Sequence, residues 1–290
     1  MEQIQTVVPP DNERLRRALY EGAIFRLAPV PATQRLVAEV LALIENELGQ
    51  DGPIREAQFR RSGDELFQAV GRLRKRLFEE RRFVGMMSDV VASFGFDPDE
   101  NAFDPVRLRV MTHLGHENPR AAPVYYAHRD TWYAHPQCQI SWWVPLHDLT
   151  EQQTFVFFPD HLRQGVENDS GKFNYDDWVR GRDSLRIGWQ DKNAGLTALY
   201  PATHADLSAA RRVPFACRAA EVILFAGAHL HQSVPNETGL TRFSVDFRTV
   251  HLRDHQSGIG APNADNRSTG SALQHYVHPP GSGLPAAVSE

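Results

Sequence analysis

The chain has 290 residues, of which 41% are hydrophobic and 23% charged, an ordinary globular make-up with enough apolar side chains for a sizeable core. A formal net charge of −5 offers no basic face to nucleic acid or an anionic membrane, and no apolar run reaches the roughly 18–20 residues of a membrane span. Two distant cysteines, Cys138 and Cys217, lack metal-type spacing, and the N-terminus lacks the basic-then-apolar pattern of a secretory signal, so a cytoplasmic protein with free thiols is expected.

The first hundred residues read as helical. Asp11 is placed to cap a short helix through Glu21 that stops at Gly22. Thr33 is placed to cap a second, in which Leu36, Val37, Val40, Leu43 and Ile44 recur at helical spacing. From Asp64 to Phe94 a longer apolar pattern predicts two helices, with the many Arg and Glu residues on a solvated face. After Phe103-Asp104-Pro105 the segments become short, β-branched and aromatic. Strands are expected over 106–113, 124–130, 138–145, 154–159, 221–225, 229–234 and 241–252. Such strands without helical crossovers predict a mainly β fold, a double-stranded β-helix (jelly roll), flanked by the N-terminal α-helices. One domain is expected. It comprises a helical flank over 1–105, a jelly-roll catalytic core over 106–252 and a coil tail over 253–290. Within the core, 160–214 has the length and the aromatic content (Phe173, Tyr175, Trp178, Trp189) of a lid.

Two places carry chemistry. In His128-Arg129-Asp130, strand alternation would put the imidazole and the carboxylate on one face. About a hundred residues later, a strand leads through Gly227 to His229 and His231, either of which could supply a second imidazole. Two histidines and one carboxylate on one side of a metal, with the other side open, is the ligand set of Fe(II) oxygenases. Alternation also puts Gln139, Ser141 and Trp143 on a shared face, expected to line a co-substrate pocket. Arg248, Arg120 and Trp132 are candidate substrate contacts, Arg248 because an inward guanidinium would favour an acidic substrate.

The segment His231-Gln-Ser233-Val-Pro235-Asn236, followed by Arg242, resembles the distal half of the phytanoyl-CoA dioxygenase superfamily. There the distal iron-binding histidine is followed by serine at +2, Pro-Asn at +4 and +5, and arginine at +11. Every offset is met from His231, whereas from His229 the serine and arginine fall at +4 and +13. The resemblance covers roughly 106–250, and departs where many relatives have a Pro-Gly-Ser-His turn and this chain has Pro159-Asp160-His161. It implies Fe(II) held by His128, Asp130 and His231, and 2-oxoglutarate as co-substrate. Arg242 and Ser233 would hold the far carboxylate of the keto acid, and Trp143 would line its pocket. Dioxygen and a small-molecule substrate complete the implied reaction, a hydroxylation, desaturation or cyclisation at an unactivated C–H bond. Halogenating relatives replace the carboxylate that Asp130 retains. A cupin-type metal enzyme not using 2-oxoglutarate is the alternative, and it would not need the Ser233/Arg242 pair.

Overall fold

The computed structural model describes residues 4–9, 11–118, 121–180, 200–203 and 205–279; Arg120 and Trp189 lie outside the described residues. Helix α1 (Asn12–Glu21) starts where the Asp11 carboxylate accepts the Arg14 N–H at 2.8 Å, a cap worth about 1 kcal/mol. It ends at Gly22, whose φ of 112° favours glycine. Strand β1 (Phe25–Leu27) follows. Helix α2 (Pro31–Leu48) starts three residues earlier than its sequence signal, because Val30 and not Thr33 occupies the cap position. Thr33 sits inside the first turn and takes the Val30 N–H at 3.0 Å. The 64–94 pattern divides into α3 (Gly63–Glu79), capped reciprocally by Ser62 and Glu65, and α4 (Arg82–Ser93).

The remaining strands are β2 (Asn101–Met111), β3 (Gln139–Pro145), β4 (Phe155–Phe157), β5 (Val222–Ala226), β6 (His231–Ser233) and β7 (Arg242–His251). Four of them join β1 in a five-stranded antiparallel sheet of order β1-β5-β3-β7-β2, and β4 pairs with β6 in a second, two-stranded sheet. The architecture is therefore mixed helix and antiparallel sheet, not mainly β. Two segments account for much of that difference. The expected strand over 124–130 is replaced by 3-10 turns, Ala122–Tyr125 and Asp130–Tyr133, around a single two-way bridge between His128 and His231. Helices α1 to α4 pack their apolar faces on the sheet and so belong to one core with it, which includes Leu36, Val40, Leu73, Met87, Trp142 and Phe247. Strand β2 begins before Pro105. As an edge strand it tolerates a residue without an N–H, and the pairing with β7 shifts between Asp104 and Arg107.

The tail differs from the expected coil. After α6 (Leu252–Gln256), residues Ala261, Ala272, Leu273 and Tyr276 are buried in the main core. The segment leading to helix α5 (Tyr175–Arg180) is tied to this strap, with Phe173 and Tyr175 buried and the Tyr175 N–H on the Thr269 carbonyl. That part of the expected lid is fixed to the body; 181–199 lie outside the described residues. Among the described residues no helix is long and apolar enough to cross a membrane. Both cysteines are buried and unpaired, and burial pushes each thiol up to about 12, which makes them inert.

Candidate metal centre

Alternation along β7 sends Phe243, Val245 and Phe247 toward the helices and turns Arg242, Ser244, Asp246 and Arg248 to the opposite face. In β3, Trp142 stacks on Phe247 on the helical side, while Gln139, Ser141 and Trp143 share the interior side. The shift in β2 has a consequence here. Residues three apart in a regular strand point to opposite faces, but the irregularity lets Asp104 and Arg107 meet, Arg107 Nη2 donating to Asp104 at 2.8 Å. A polar lining thus covers part of the interior. Trp143, Ile223 and Phe225 line the rest, against Phe155 and Phe157 of the small sheet.

Three side chains converge at this interior. His128 lies on the bridge to His231, Asp130 opens the 3-10 turn, and His231 opens β6. One donor atom from each lies within 4.8 Å of the others, and His128 Nε2 is 3.9 Å from Asp130 Oδ1. The Nδ1 of His128 is 2.9 Å from the Tyr126 carbonyl, and that of His231 is 3.0 Å from the His229 carbonyl. A carbonyl only accepts, so each ring keeps its proton on Nδ1 and leaves the Nε2 lone pair as a metal donor. Burial lowers the pKa of both rings, that of His231 to about 3, with nearby His128 adding to the shift. Burial would raise the Asp130 carboxyl, but the Arg248 guanidinium overrides it and holds Asp130 well below the usual carboxylate range. Two neutral imidazoles and one ionised carboxylate are what a divalent iron requires, so the donor set fits.

His229 is a poor candidate for the same role. Its ring nitrogens lie at 2.9 Å from the Ala226 carbonyl and 3.2 Å from that of Gly22, leaving neither directed at a metal. Arg129, between the two proximal donors, is buried and holds their surroundings. It donates to the Ala228 and His161 carbonyls and to Asp265 of the tail, tying the turn before His231 to the His128 segment.

The Asp130 carboxylate is held asymmetrically. Its Oδ2 accepts from Ser141 Oγ at 2.6 Å, Arg248 Nε at 3.1 Å and Gln139 Nε2 at 3.3 Å. Among the described residues Oδ1 accepts only the long Arg248 Nη2 contact of 3.5 Å, and it is the oxygen facing His128. Asp130 is thereby set up to bind through one oxygen. Gly227 permits this approach, since a Cβ there would lie 1.9 Å from Gln139 Oε1 and 3.2 Å from the Asp130 Cβ. Gln139, expected to line the co-substrate pocket, instead stands on the metal-binding carboxylate. Arg248 is likewise not free for substrate, because it also pairs with Asp104 at 2.9 Å and Asp246 at 3.4 Å. Ser141 was recognisable only as a member of the inward face, and its contact with Asp130 has no sequence signal.

Arg248→Met should therefore damage both folding and metal binding. Removing one partner of a buried ion pair typically costs about 3–5 kcal/mol. Loss of a group that orients a ligand typically costs about 10–100-fold in metal affinity. The pH dependence follows from the depressed pKa values of Asp130, Asp104 and Asp246. Their contribution is present above the unfolded carboxylate pKa of about 4 and is lost as pH falls through the lower folded values. In the variant, burial without Arg248 raises Asp130, so its penalty is largest at neutral pH and fades on acidification. Urea unfolding of parent and variant from pH 7 to pH 4 should show the stability gap narrowing; a constant gap would mean that Arg248 acts through packing.

Arg242 lies at the start of β7, only 3% exposed, with its guanidinium 5.7 Å from the Trp143 ring. Its one hydrogen bond among the described residues is a 3.4 Å contact from Nη1 to the Gln153 carbonyl, and Nε has no partner. The Tyr125 hydroxyl and Ser244 Oγ are also buried without a partner among the described residues. Burial lowers the Arg242 pKa to about 10, which still leaves it charged at neutral pH. Ser233 sits on β6 opposite Phe155. Trp132, expected to touch substrate, is fully buried with its indole N–H on Asp265 at 2.7 Å, so it is a core residue.

No family model matches the chain, and no curated protein matches it. Among solved structures, the epimerase SnoN in complex with Fe3+, alpha ketoglutarate and nogalamycin RO is similar at 16% identity, with 82% of each chain covered and a TM-score of 0.42. EvdO2 from Micromonospora carbonacea var. aurantiaca is 15% identical over 84% of this chain and 93% of its own, with a TM-score of 0.45. The non-heme monooxygenase ThoJ is 18% identical over 78% of this chain and 74% of its own, with a TM-score of 0.43. At such scores the function of this chain rests on its own geometry.

Proposed function

We propose that the protein is a non-heme Fe(II)- and 2-oxoglutarate-dependent oxygenase of the phytanoyl-CoA dioxygenase type, built on a double-stranded β-helix and acting on a C–H bond of a small metabolite. The observation that carries this is a pairing within one interior. Two neutral imidazole nitrogens and an ionised carboxylate oxygen lie within 4.8 Å, and a buried guanidinium on the same lining makes no ion pair among the described residues. A keto acid with a second carboxylate supplies both needs, since its keto-acid end suits the metal and its far end suits Arg242. A metal enzyme without 2-oxoglutarate would leave Arg242 buried and uncompensated, a costly arrangement.

In this reaction His128, Asp130 and His231 hold the iron, and Ser141, Gln139 and Arg248 fix which Asp130 oxygen faces it. Arg242, with Ser244 and Tyr125 beside it, binds and orients the co-substrate. Trp143, Phe155 and Phe225 keep water from the His231 side, the last two rings lying 5.6 and 5.4 Å from that imidazole. Iron and keto acid together, when bound, supply the oxidising power for C–H cleavage with dioxygen. Retention of Asp130 favours hydroxylation, desaturation or cyclisation.

The test is succinate release in air by enzyme supplied with Fe(II), ascorbate and 2-oxoglutarate, across a metabolite panel. Succinate should form only with iron, and faster with the right metabolite. A protein that binds iron but neither binds nor consumes 2-oxoglutarate would belong to the cupin-type alternative.

A further inference from the structure

The polar lining holds more positive charge than it compensates. Arg107, Arg109, Arg248, Arg242 and Arg74 gather around it, against the carboxylates of Asp104, Asp130 and Asp246. A divalent iron and the dianion of 2-oxoglutarate would cancel one another, so the chain's own excess would persist in the loaded enzyme. Arg74 is the member least accounted for apart from Arg242. It reaches from α3 around the free edge of β2, where Nε donates to the Leu108 carbonyl at 3.1 Å. Its Nη1 is buried with no hydrogen-bond partner, and it makes no ion pair among the described residues.

Its surroundings lead to the iron site along two routes. Arg109, next to Leu108, forks onto Asp246, the Nη2 bond being 3.0 Å, and Asp246 is 3.4 Å from Arg248, which grips Asp130. Arg109 nevertheless keeps 40% of its side chain exposed, so part of its fork is available to a ligand. On the other side Tyr133 lies edge-on to His128 at 5.7 Å and to Tyr200 at 6.4 Å. Both Arg109 and Tyr200 are close enough to Arg74 to influence its charge, and Arg109 does the same to His128.

We propose that Arg74 and Arg109 form a subsite for an anionic group, a carboxylate or a phosphate, on the substrate that is oxidised at the iron. The link to oxidation rests on the iron and 2-oxoglutarate assignment above, whereas the anion subsite stands on the Arg74 Nη1, without a partner among the described residues, and on the exposed part of the Arg109 side chain. Two guanidinium forks suit the planar or tetrahedral oxygens of either anion, and a partly desolvated site strengthens the contact.

Isothermal titration calorimetry on enzyme loaded with Zn(II) and 2-oxoglutarate, a redox-inert state with the Arg242 position filled, tests the subsite. The probes are benzoate, neutral benzamide and inorganic phosphate. Benzoate or phosphate should bind and benzamide should not. Arg74→Gln should weaken the anion by about tenfold or more with the 2-oxoglutarate affinity unchanged, and Arg74→Lys should recover part of the loss. Benzamide binding as well as benzoate, or anion affinity within twofold of the parent in Arg74→Gln, would overturn the proposal. Should Arg74→Gln not fold, Arg109→Gln must show the same loss, and unaltered affinity there is equally fatal. If 2-oxoglutarate itself fails to bind, the same titration without it still reads the subsite, so the two assignments fail separately.

Discussion

His231→Ala protein is expected to bind no stoichiometric Fe(II) and to release no succinate, while His229→Ala keeps its iron. The two residues are only two apart, yet their rings have different surroundings. His231 spends Nδ1 on a backbone carbonyl and has Nε2 left over beside His128 and Asp130. His229 has a backbone carbonyl against each nitrogen. Removing His231 takes away a ligand outright, a larger loss than the roughly 10–100-fold that follows from disturbing an orienting group. His229→Ala should instead cost stability, because its ring is buried against Phe157 and Phe225. Anaerobic titration of each variant with Fe(II), followed by calorimetry of unfolding, separates the outcomes. Iron bound normally by His231→Ala and lost from His229→Ala would reverse the assignment.

The contrast between these histidines shows where the sequence is informative. Offsets along the chain point to His231 through the resemblance stated above, because the serine, Pro-Asn and arginine that follow it stand at the distances seen in that superfamily. Helices α1 to α4 are legible for a similar reason, since caps and apolar spacing are local and act within a few residues. What stays hidden is nonlocal. The Arg248–Asp130 pair joins residues 118 apart, and Arg129 meets Asp265 across 136. The tail reads as coil because its buried anchors are sparse, and only the cavity they fill gives them meaning. The strand expected at 124–130 failed where alternation was most needed. A bridge and a 3-10 turn bring His128 and Asp130 together, a geometry that the tripeptide His-Arg-Asp does not specify. Gln139 shows the same limit from the other side. Alternation puts it on one face with Ser141, but which group on that face it touches depends on the turn carrying Asp130.

Arg242→Leu should raise the dissociation constant for 2-oxoglutarate by a factor of about a hundred or more, with iron binding nearly unchanged. Losing one partner of a buried charged pair typically costs about 3–5 kcal/mol, and each 1.4 kcal/mol is roughly tenfold. The sign for the unliganded protein is the opposite of that for Arg248. Arg248 is compensated by three carboxylates, so its removal strands their charge. Arg242 makes no ion pair among the described residues, and burial already drives its pKa down to about 10, so a leucine relieves a desolvated cation. The apo variant is therefore expected to be as stable as the parent or more stable, packing against Trp143 where the guanidinium now lies. The parent gains thermal stability from added 2-oxoglutarate and metal by mass action, and the variant should lose that gain at concentrations saturating the parent. Smaller keto acids without a second carboxylate, such as pyruvate, should discriminate little between the two proteins. Unfolding or loss of iron in Arg242→Leu would mark the residue as structural. A folded, iron-binding variant with parental affinity for 2-oxoglutarate would remove the reason for assigning this co-substrate.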